Sequence, residues 1–398
     1  MSNVDKDAAE QRLMRFLAVE GVTGKEAAIA KELTAALIEA GVPKKAIRLD
    51  DANTKIPVPT ETGNLIVDLP GRGALASADR VLFMTHMDTV PLCAGAVPKR
   101  VGKRIVPAGK TALGGDNRTG CAVLVTLAAE LARHKLDHPP IAMLFTVREE
   151  SGLWGARFVD KADLGGVKHG FNYDGSDPAY VTIGAVGADH WQVEITGRAS
   201  HAGVAPEKGI SATMILAEAL ADVRRKGWFG KVMKGNHAGT SNIGPVGGMN
   251  GGTAGDATNV VTDYVHCEGE SRSQEASFHK EITAAFKASF VEAAERVTNA
   301  DGKAGRVKFT SRTNYHPFRL KETLPVVKKA MAAVKDIGLD PELRSATGGL
   351  DANWLVRHGI PTVTLGAGQH SPHTIEEYIE LGEFGQACQL AVRLATSA

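Results

Sequence analysis

The 398 residues carry 46 Lys+Arg against 45 Asp+Glu, a net charge of +1, and 43% hydrophobic residues, the composition of an ordinary globular chain long enough for two or three domains or for one inserted in another. A near-zero charge without any run of five or more Lys/Arg argues against a nucleic-acid partner, and the longest apolar stretch, Cys121 to Ala129, is about half the ~20 residues of a membrane span, so no membrane partner is expected either. Cys93, Cys121, Cys267 and Cys388 lie far apart with no C-x-x-C pair, which points to free thiols, whereas 13 histidines and 44 glycines suit tight turns around a site built from imidazoles.

The charged start, Met1-Ser2-Asn3-Val4-Asp5-Lys6-Asp7 followed by Glu10, Arg12 and Arg15, lacks the apolar core of a signal peptide, and a cytoplasmic location is expected. Residues 7 to 40 read as two helices split at Gly21-Val22-Thr23-Gly24, with Thr23 as a candidate cap for the second. Short apolar runs follow at Asn64–Asp68, Val81–Thr85, Ile141–Val147 and Gly170–Tyr173, each bounded by charge or turn residues and each read as a buried strand. Between the second and third, Val123, Leu124, Leu127, Ala128 and Leu131 recur at helical spacing and predict a crossover helix over Asp116 to His134. This alternation is that of an α/β domain with a mostly parallel sheet flanked by helices. From about Ala188 the pattern changes: Trp191–Thr196 and Tyr264–Glu268 alternate as half-exposed antiparallel strands, separated by helices around Ser211–Arg225 and Glu275–Thr298. After Leu324 the α/β pattern resumes with a helix at Pro325–Gly338, a strand at Pro361–Leu365 and a final helix from Leu381. The expected organisation is a discontinuous α/β domain, residues 1–186 and 317–398, carrying an inserted α+β domain at 187–316.

The carboxyl ends of these strands carry the chemistry. Val81–Thr85 runs into His86-Met87-Asp88, Ile141–Val147 into Arg148-Glu149-Glu150, Gly170–Tyr173 into Asp174, and Pro361–Leu365 is followed by His370 and His373. Sites in open α/β sheets form beyond the carboxyl ends of the strands, and Asp116, heading the crossover helix, enters the same crevice. Two imidazoles with several carboxylates and no thiolate suit a divalent cation such as Zn, Mn or Co. Five charged ligands exceed the needs of one ion and favour two ions sharing a carboxylate, which is the signature of a binuclear hydrolase. In His86-x-Asp88 both side chains fall on one side of the strand, so Asp88 can accept the imidazole's other N–H and fix its tautomer. Of adjacent Glu149 and Glu150, pointing apart from an extended backbone, one can bind metal and the other act as general base. His-Glu-x-x-His and Gly-x-Ser-x-Gly are absent. The glycine-rich Gly247–Gly252 reads as a hairpin tip.

The series His86-x-Asp88, Gly115-Asp116-Asn117, Glu149-Glu150, Asp174 and His373-x-x-Glu376-Glu377-Tyr378 resembles the di-zinc exopeptidase family of peptidase T, carboxypeptidase G, aminoacylase and succinyl-diaminopimelate desuccinylase. Ala199-Ser200-His201-Ala202-Gly203-x-x-Pro206-Glu207-Lys208-Gly209, the Gly251-Gly252…Asn259-Val260-Val261 stretch with Glu268–Ser273, and Gly348-Gly349-Leu350-Asp351-Ala352-Asn353 are most similar to the peptidase T-like branch. The resemblance implies a phosphorylase/hydrolase-like zinc exopeptidase fold. It places His86 and Asp174 on one metal, Glu150 and His373 on the other, Asp116 between them, and Glu149 as general base on a metal-bridging hydroxide. It implies that the insert is a lid and homodimer contact, that His201 reaches a neighbouring subunit's site, and that Asn259 and Arg272 hold substrate. Asn117 stands where many relatives have a second Asp, and His370 is an additional imidazole near His373. The expected activity is cleavage of short peptides, as a tripeptide aminopeptidase. Its alternatives are an N-acyl amino acid deacylase, a carboxypeptidase or a non-catalytic metal-binding relative.

Overall fold

The computed structural model describes residues 4–255 and 257–397; Met1 to Asn3 of the charged N-terminal stretch lie outside the described residues. The chain divides into two compact units, residues 1–185 with 319–398, and residues 186–318.

In the first unit a mixed sheet includes, in order, Ile47–Leu49, Leu65–Leu69, Ile141–Thr146, Val81–His86, His169–Tyr173, Thr362–Leu365 and Tyr180–Ala185, the last also paired in parallel with Glu342–Ala346. Four consecutive members, from Ile141–Thr146 to Thr362–Leu365, are parallel. Every residue of Val81–His86 and Ile141–Thr146 is buried, which is why these strands read as unbroken apolar runs rather than alternating ones. The margins depart from the expected parallel pattern: Leu65–Leu69 is antiparallel to Ile141–Thr146, and Tyr180–Ala185 is antiparallel to Thr362–Leu365. The parallel strands need crossovers, and the longest is the Gly115–His134 helix, packed between the sheet and the helices Lys6–Leu17 and Leu381–Thr396. On the other face Leu82, Met84, Ala142 and Leu144 pack with Ala156, Leu164, Leu355 and Ile360. The second helix starts at Ala27 without a side-chain cap. Thr23 is used elsewhere, its hydroxyl 2.7 Å from that of Ser151. A small antiparallel sheet of Pro98–Val101, Arg104–Pro107, Tyr378–Glu380 and Gln369–His370 holds the loop at 371–377.

The second unit is a five-stranded antiparallel sheet, ordered Gly230–Lys234, His237–Gly247, Tyr264–Ser273, Gly187–Thr196, Arg306–Tyr315. Tyr264–Ser273 alternates strictly between buried and half-buried positions, and its buried face meets the helices Ala212–Arg225 and Ala276–Arg296. Trp191 centres this core, fully buried, with ring centroids 4.7 Å from Phe286 and 5.5 Å from Phe309. Trp191→Ala removes the largest side chain of this core and is expected to lower stability by about 3–5 kcal/mol in urea unfolding; a loss below about 1 kcal/mol would show that the core closes over the gap.

Candidate metal centre

The ends of the parallel strands converge as the register dictates. His86 pairs with Thr146 across the sheet, so the end of Val81–His86 and the turn after Ile141–Thr146 open at the same level. His86 is buried, its Nδ1 3.1 Å from the Asp88 carbonyl and 3.3 Å from Asp88 Oδ1. Its Nε2 lies 3.1 Å from Asp116 Oδ1, 3.6 Å from Asp174 Oδ1 and 4.0 Å from Glu149 Oε2. The other oxygen of Asp116 is 3.4 Å from His373 Nε2, which also lies 2.9 Å from Glu150 Oε2. Two clusters result, His86–Asp116–Asp174 and Asp116–Glu150–His373, each with donor atoms within 4.8 Å of one another and sharing Asp116. Asp116 divides its two oxygens between the two imidazoles.

Glu149 and Glu150 do not sit on extended backbone as the sequence suggested. The strand ends at Thr146, Arg148 takes a left-handed φ of 52°, and Gly152 and Leu153 donate back to the Glu149 carbonyl. The residues form a turn, and the turn sends the two side chains to different imidazoles. Asp88 accepts the Glu149 and Glu150 amides at 3.0 and 3.2 Å and so ties this turn to the His86 strand.

Burial is the largest influence on these acids. It pushes Glu150 up to about 7 and Asp174 up to about 6, and it raises Glu149 well above the usual carboxylate range. Burial also opposes charge on His86, but Glu149, Asp116, Asp174 and Asp88 outweigh it and raise the ring well above its ordinary value. Hydrogen bonds to Asp116 and Glu150 raise His373 to about 10. Burial likewise opposes charge on Asp116, yet the two facing rings hold its carboxyl below the ordinary value. Five acids, Asp88, Asp116, Glu149, Glu150 and Asp174, surround two imidazoles, and the ring nitrogens face carboxylate oxygens at 2.9 to 3.6 Å where divalent ions would fit. A set of imidazole and carboxylate donors, in two triads joined by one carboxylate, suits two metal ions.

The profile of Peptidase family M20/M25/M40 matches residues 82–397. The chain belongs to this peptidase family. It is 30% identical over 389 residues to the uncharacterized protein YqjE of Bacillus subtilis (strain 168), covering 98% of this chain and 97% of the relative. Among solved structures, aminopeptidase PepT from Bacillus cereus ATCC 10987 is similar at 31% identity and a TM-score of 0.83 over 99% of both chains. A tripeptidase from Staphylococcus aureus subsp. aureus Mu50 is similar at 25% identity and a TM-score of 0.87, also over 99% of both. This is the peptidase T-like branch of M20, and the chain is a metallopeptidase.

Other residues of this M20 chain that the sequence singled out fall in different places. His370 bonds Glu383 at 2.6 Å and stacks on Tyr378, outside both metal clusters. In the second unit His201 is exposed, accepting the Gly203 and Val204 amides at Nδ1, and Asn259 is joined to it through the Ala202 amide, which donates to the Asn259 carbonyl at 2.8 Å. Arg272 lies next to the end of the Tyr264–Ser273 strand in the same unit and pairs with Glu270 at 2.9 Å. All four cysteines are free and buried. Among the described residues no helix is long and apolar enough to cross a membrane.

Three buried acids near the centre were not assigned roles from the sequence. Glu377 accepts the amides of Leu113, Gly114 and Asp116 at 2.7, 2.8 and 2.9 Å and so holds the segment that presents Asp116. Asp351, raised to about 7 by burial, accepts from the Thr146 hydroxyl at the strand end. Glu26 accepts from Gly24 and Arg148. The motif His373-x-x-Glu376-Glu377 was a signal for Glu377, but its partners are backbone amides that no side-chain pattern reveals.

Glu377→Gln turns one acceptor oxygen into a donor facing N–H groups and is expected to weaken metal binding by about 10–100-fold in chelator competition, with little change in helix content. Ring protons must also leave when ions bind. His373 is raised to about 10, so affinity for any ion held at its nitrogen is expected to rise as pH rises toward about 10 and to fall in acid. Calorimetry of zinc binding at pH 7 in buffers of different ionisation enthalpy is expected to show net proton release; binding with none would contradict the placement of the ion at the His373 nitrogen.

Proposed function

We propose that this M20 chain is a tripeptide aminopeptidase, with His86 and Asp174 on one zinc ion, Glu150 and His373 on the other, Asp116 bridging, and Glu149 as general base. The observation that carries the reading is the divided Asp116 carboxylate, one oxygen to each imidazole, with the Glu149 carboxylate beside His86 but outside both ligand triads. The similarity to an aminopeptidase and a tripeptidase over nearly the whole chain supports the substrate class. The ions, when bound, supply Lewis acidity toward the scissile carbonyl and the attacking water.

Glu149 takes a proton from the attacking water as its oxygen bonds to the carbonyl carbon. The same carboxyl then gives the proton to the amine as the C–N bond breaks. A carboxyl raised by burial is suited to both halves of this exchange. Asp88 holds the His86 ring through Nδ1, leaving Nε2 for metal. His201 is read as the donor that stabilises the developing oxyanion in a neighbouring subunit, and Asn259 and Arg272 as holders of the substrate's carboxylate or backbone. The second unit is read as a lid and homodimer contact. Val204, Met214, Met233, Val246 and Met249 of this unit are exposed. Four buried free thiols suit a reducing, cytoplasmic setting.

The test is hydrolysis of a free tripeptide beside its N-acetylated twin, before and after chelation and after adding back zinc, manganese or cobalt. Metal-dependent cleavage of the free peptide alone is expected, and cleavage of the blocked twin instead would move the enzyme to a deacylase or carboxypeptidase reading. Glu149→Ala is expected to lower kcat by at least about 10³-fold with both metals retained, the scale of losing a general base in a preorganised site; retained turnover would remove Glu149 from that role.

A further inference from the structure

The turn that carries Glu149 and Glu150 is fastened from a part of the chain that the family profile does not reach. Glu26 lies ahead of the matched stretch, which begins at residue 82, and its side chain is completely buried. One oxygen, Oε1, accepts the Gly24 amide at 2.6 Å and the Arg148 amide at 3.1 Å. Asp88 takes the next two amides, of Glu149 and Glu150. Three successive N–H groups of one turn are therefore held by two buried carboxylates from two different segments.

The Glu26 segment grips the turn at further points. The Thr23 and Ser151 hydroxyls are 2.7 Å apart, and the Thr23 amide donates to the Thr89 carbonyl at 2.8 Å, one residue beyond Asp88. Gly24 has a φ of +88°, and a Cβ there would lie 2.2 Å from the Arg148 guanidinium, so the close approach of the two segments requires glycine. Arg148 takes a left-handed conformation, unfavourable for a non-glycine residue and kept only where its surroundings dictate it. Its amide is the group Glu26 accepts, and its side chain is fixed by the Thr60 hydroxyl and the Pro59 carbonyl.

We infer that Glu26 is a positioning residue: by accepting the Arg148 amide it sets the left-handed turn that aims Glu149 at the reacting water and Glu150 at His373. It touches neither substrate nor metal. The inference rests on the reading of Glu149 as general base. It assigns the linker between the first two helices to the catalytic apparatus, where the sequence showed only a break between helices.

The role is geometric, and this gives an order of variants that charge or stability would not produce. Glu26→Gln keeps an oxygen at the same reach and is expected to retain kcat within about threefold. Glu26→Asp keeps the charge but withdraws the acceptor by one methylene, so it loses the Arg148 amide first and is expected to lower kcat about tenfold. Glu26→Met fills the volume without an acceptor and is expected to lower kcat about 100-fold, the scale of a displacement of about 1 Å at a reacting group. KM, bound metal and melting temperature should change little in the first two variants.

The wild type and all three variants are assayed together on the free tripeptide, with metal content and thermal unfolding measured on each. Wild-type cleavage with Glu26→Gln above Glu26→Asp in kcat, at matched KM and metal content, supports the inference. Glu26→Asp equal to wild type, or kcat that merely follows melting temperature, overturns it while leaving the peptidase reading intact. If Glu26→Met fails to fold, the order of the other two decides. No cleavage by the wild type overturns the peptidase reading, and this inference with it.

Discussion

The centre depends on one kind of interaction, a buried carboxylate accepting backbone amides. Asp88, Glu26 and Glu377 belong to neither metal triad, yet between them they take the amides of Gly24, Leu113, Gly114, Asp116, Arg148, Glu149 and Glu150. Loops at the ends of parallel strands have no ladder partners for these N–H groups, and a buried amide left unpaired costs about 1–3 kcal/mol. A carboxylate answers two or three such groups at once, through bonds about twice as strong as neutral ones. The loops are therefore fixed by acids rather than by neighbouring strands.

The same acids set the electrostatics. Asp88 lies two residues from His86 and Glu377 four from His373, and burial raises Glu149, Glu150, Asp174, Asp351 and Glu26 above their ordinary values. Charge of one sign collected in a poorly solvated place is unfavourable until protons or cations arrive. Buried Arg118 faces Asp88 and Glu26 with its charge, and its hydrogen bonds go to the carbonyls of Met87, Val19 and Gly21 rather than to an acid of the triads. Holding the loops with carboxylates and attracting divalent ions are thus one arrangement seen from two sides: the scaffold that orders the ligands also makes them need metal.

What the sequence disclosed follows the same division. Val81–His86 and Ile141–Thr146 were legible because strands buried on both faces must be apolar throughout, and His86, Asp174 and the Glu149-Glu150 pair were legible because charge at the end of such a run is conspicuous. The rule that strand ends converge then brings these residues together. The turn at Arg148 was not legible, since a left-handed arginine leaves no compositional mark and the run of Thr146-Val147-Arg148 reads as continued strand. Thr23 reads as a cap until Ser151, 128 residues away, claims its hydroxyl. Glu26 and Glu377 were illegible as positioning groups for a related reason: their partners are amides 122 and 261 to 264 residues away, and an amide has no residue type. The antiparallel margins of the sheet had no signal either, because the apolar pattern of a strand reads the same in both directions.

The two triads are unequal, and the inequality follows from where their members sit. His86 ends a buried strand and its side chain is 2% exposed; His373 sits at the tip of the 371–377 loop with a φ of 64° and a side chain 50% exposed. The first triad is walled by the sheet, while the second is closed by a loop held through Glu377 and the small antiparallel sheet. Local opening of that loop breaks few apolar contacts, whereas moving His86 would disturb the centre of the parallel strands. Asp116 joins a rigid half to a yielding one. A carboxylate shared between them transmits the position of the rigid half to the other, and the segment presenting Asp116 is accordingly held by three backbone N–H groups donating hydrogen bonds to a single acid, Glu377.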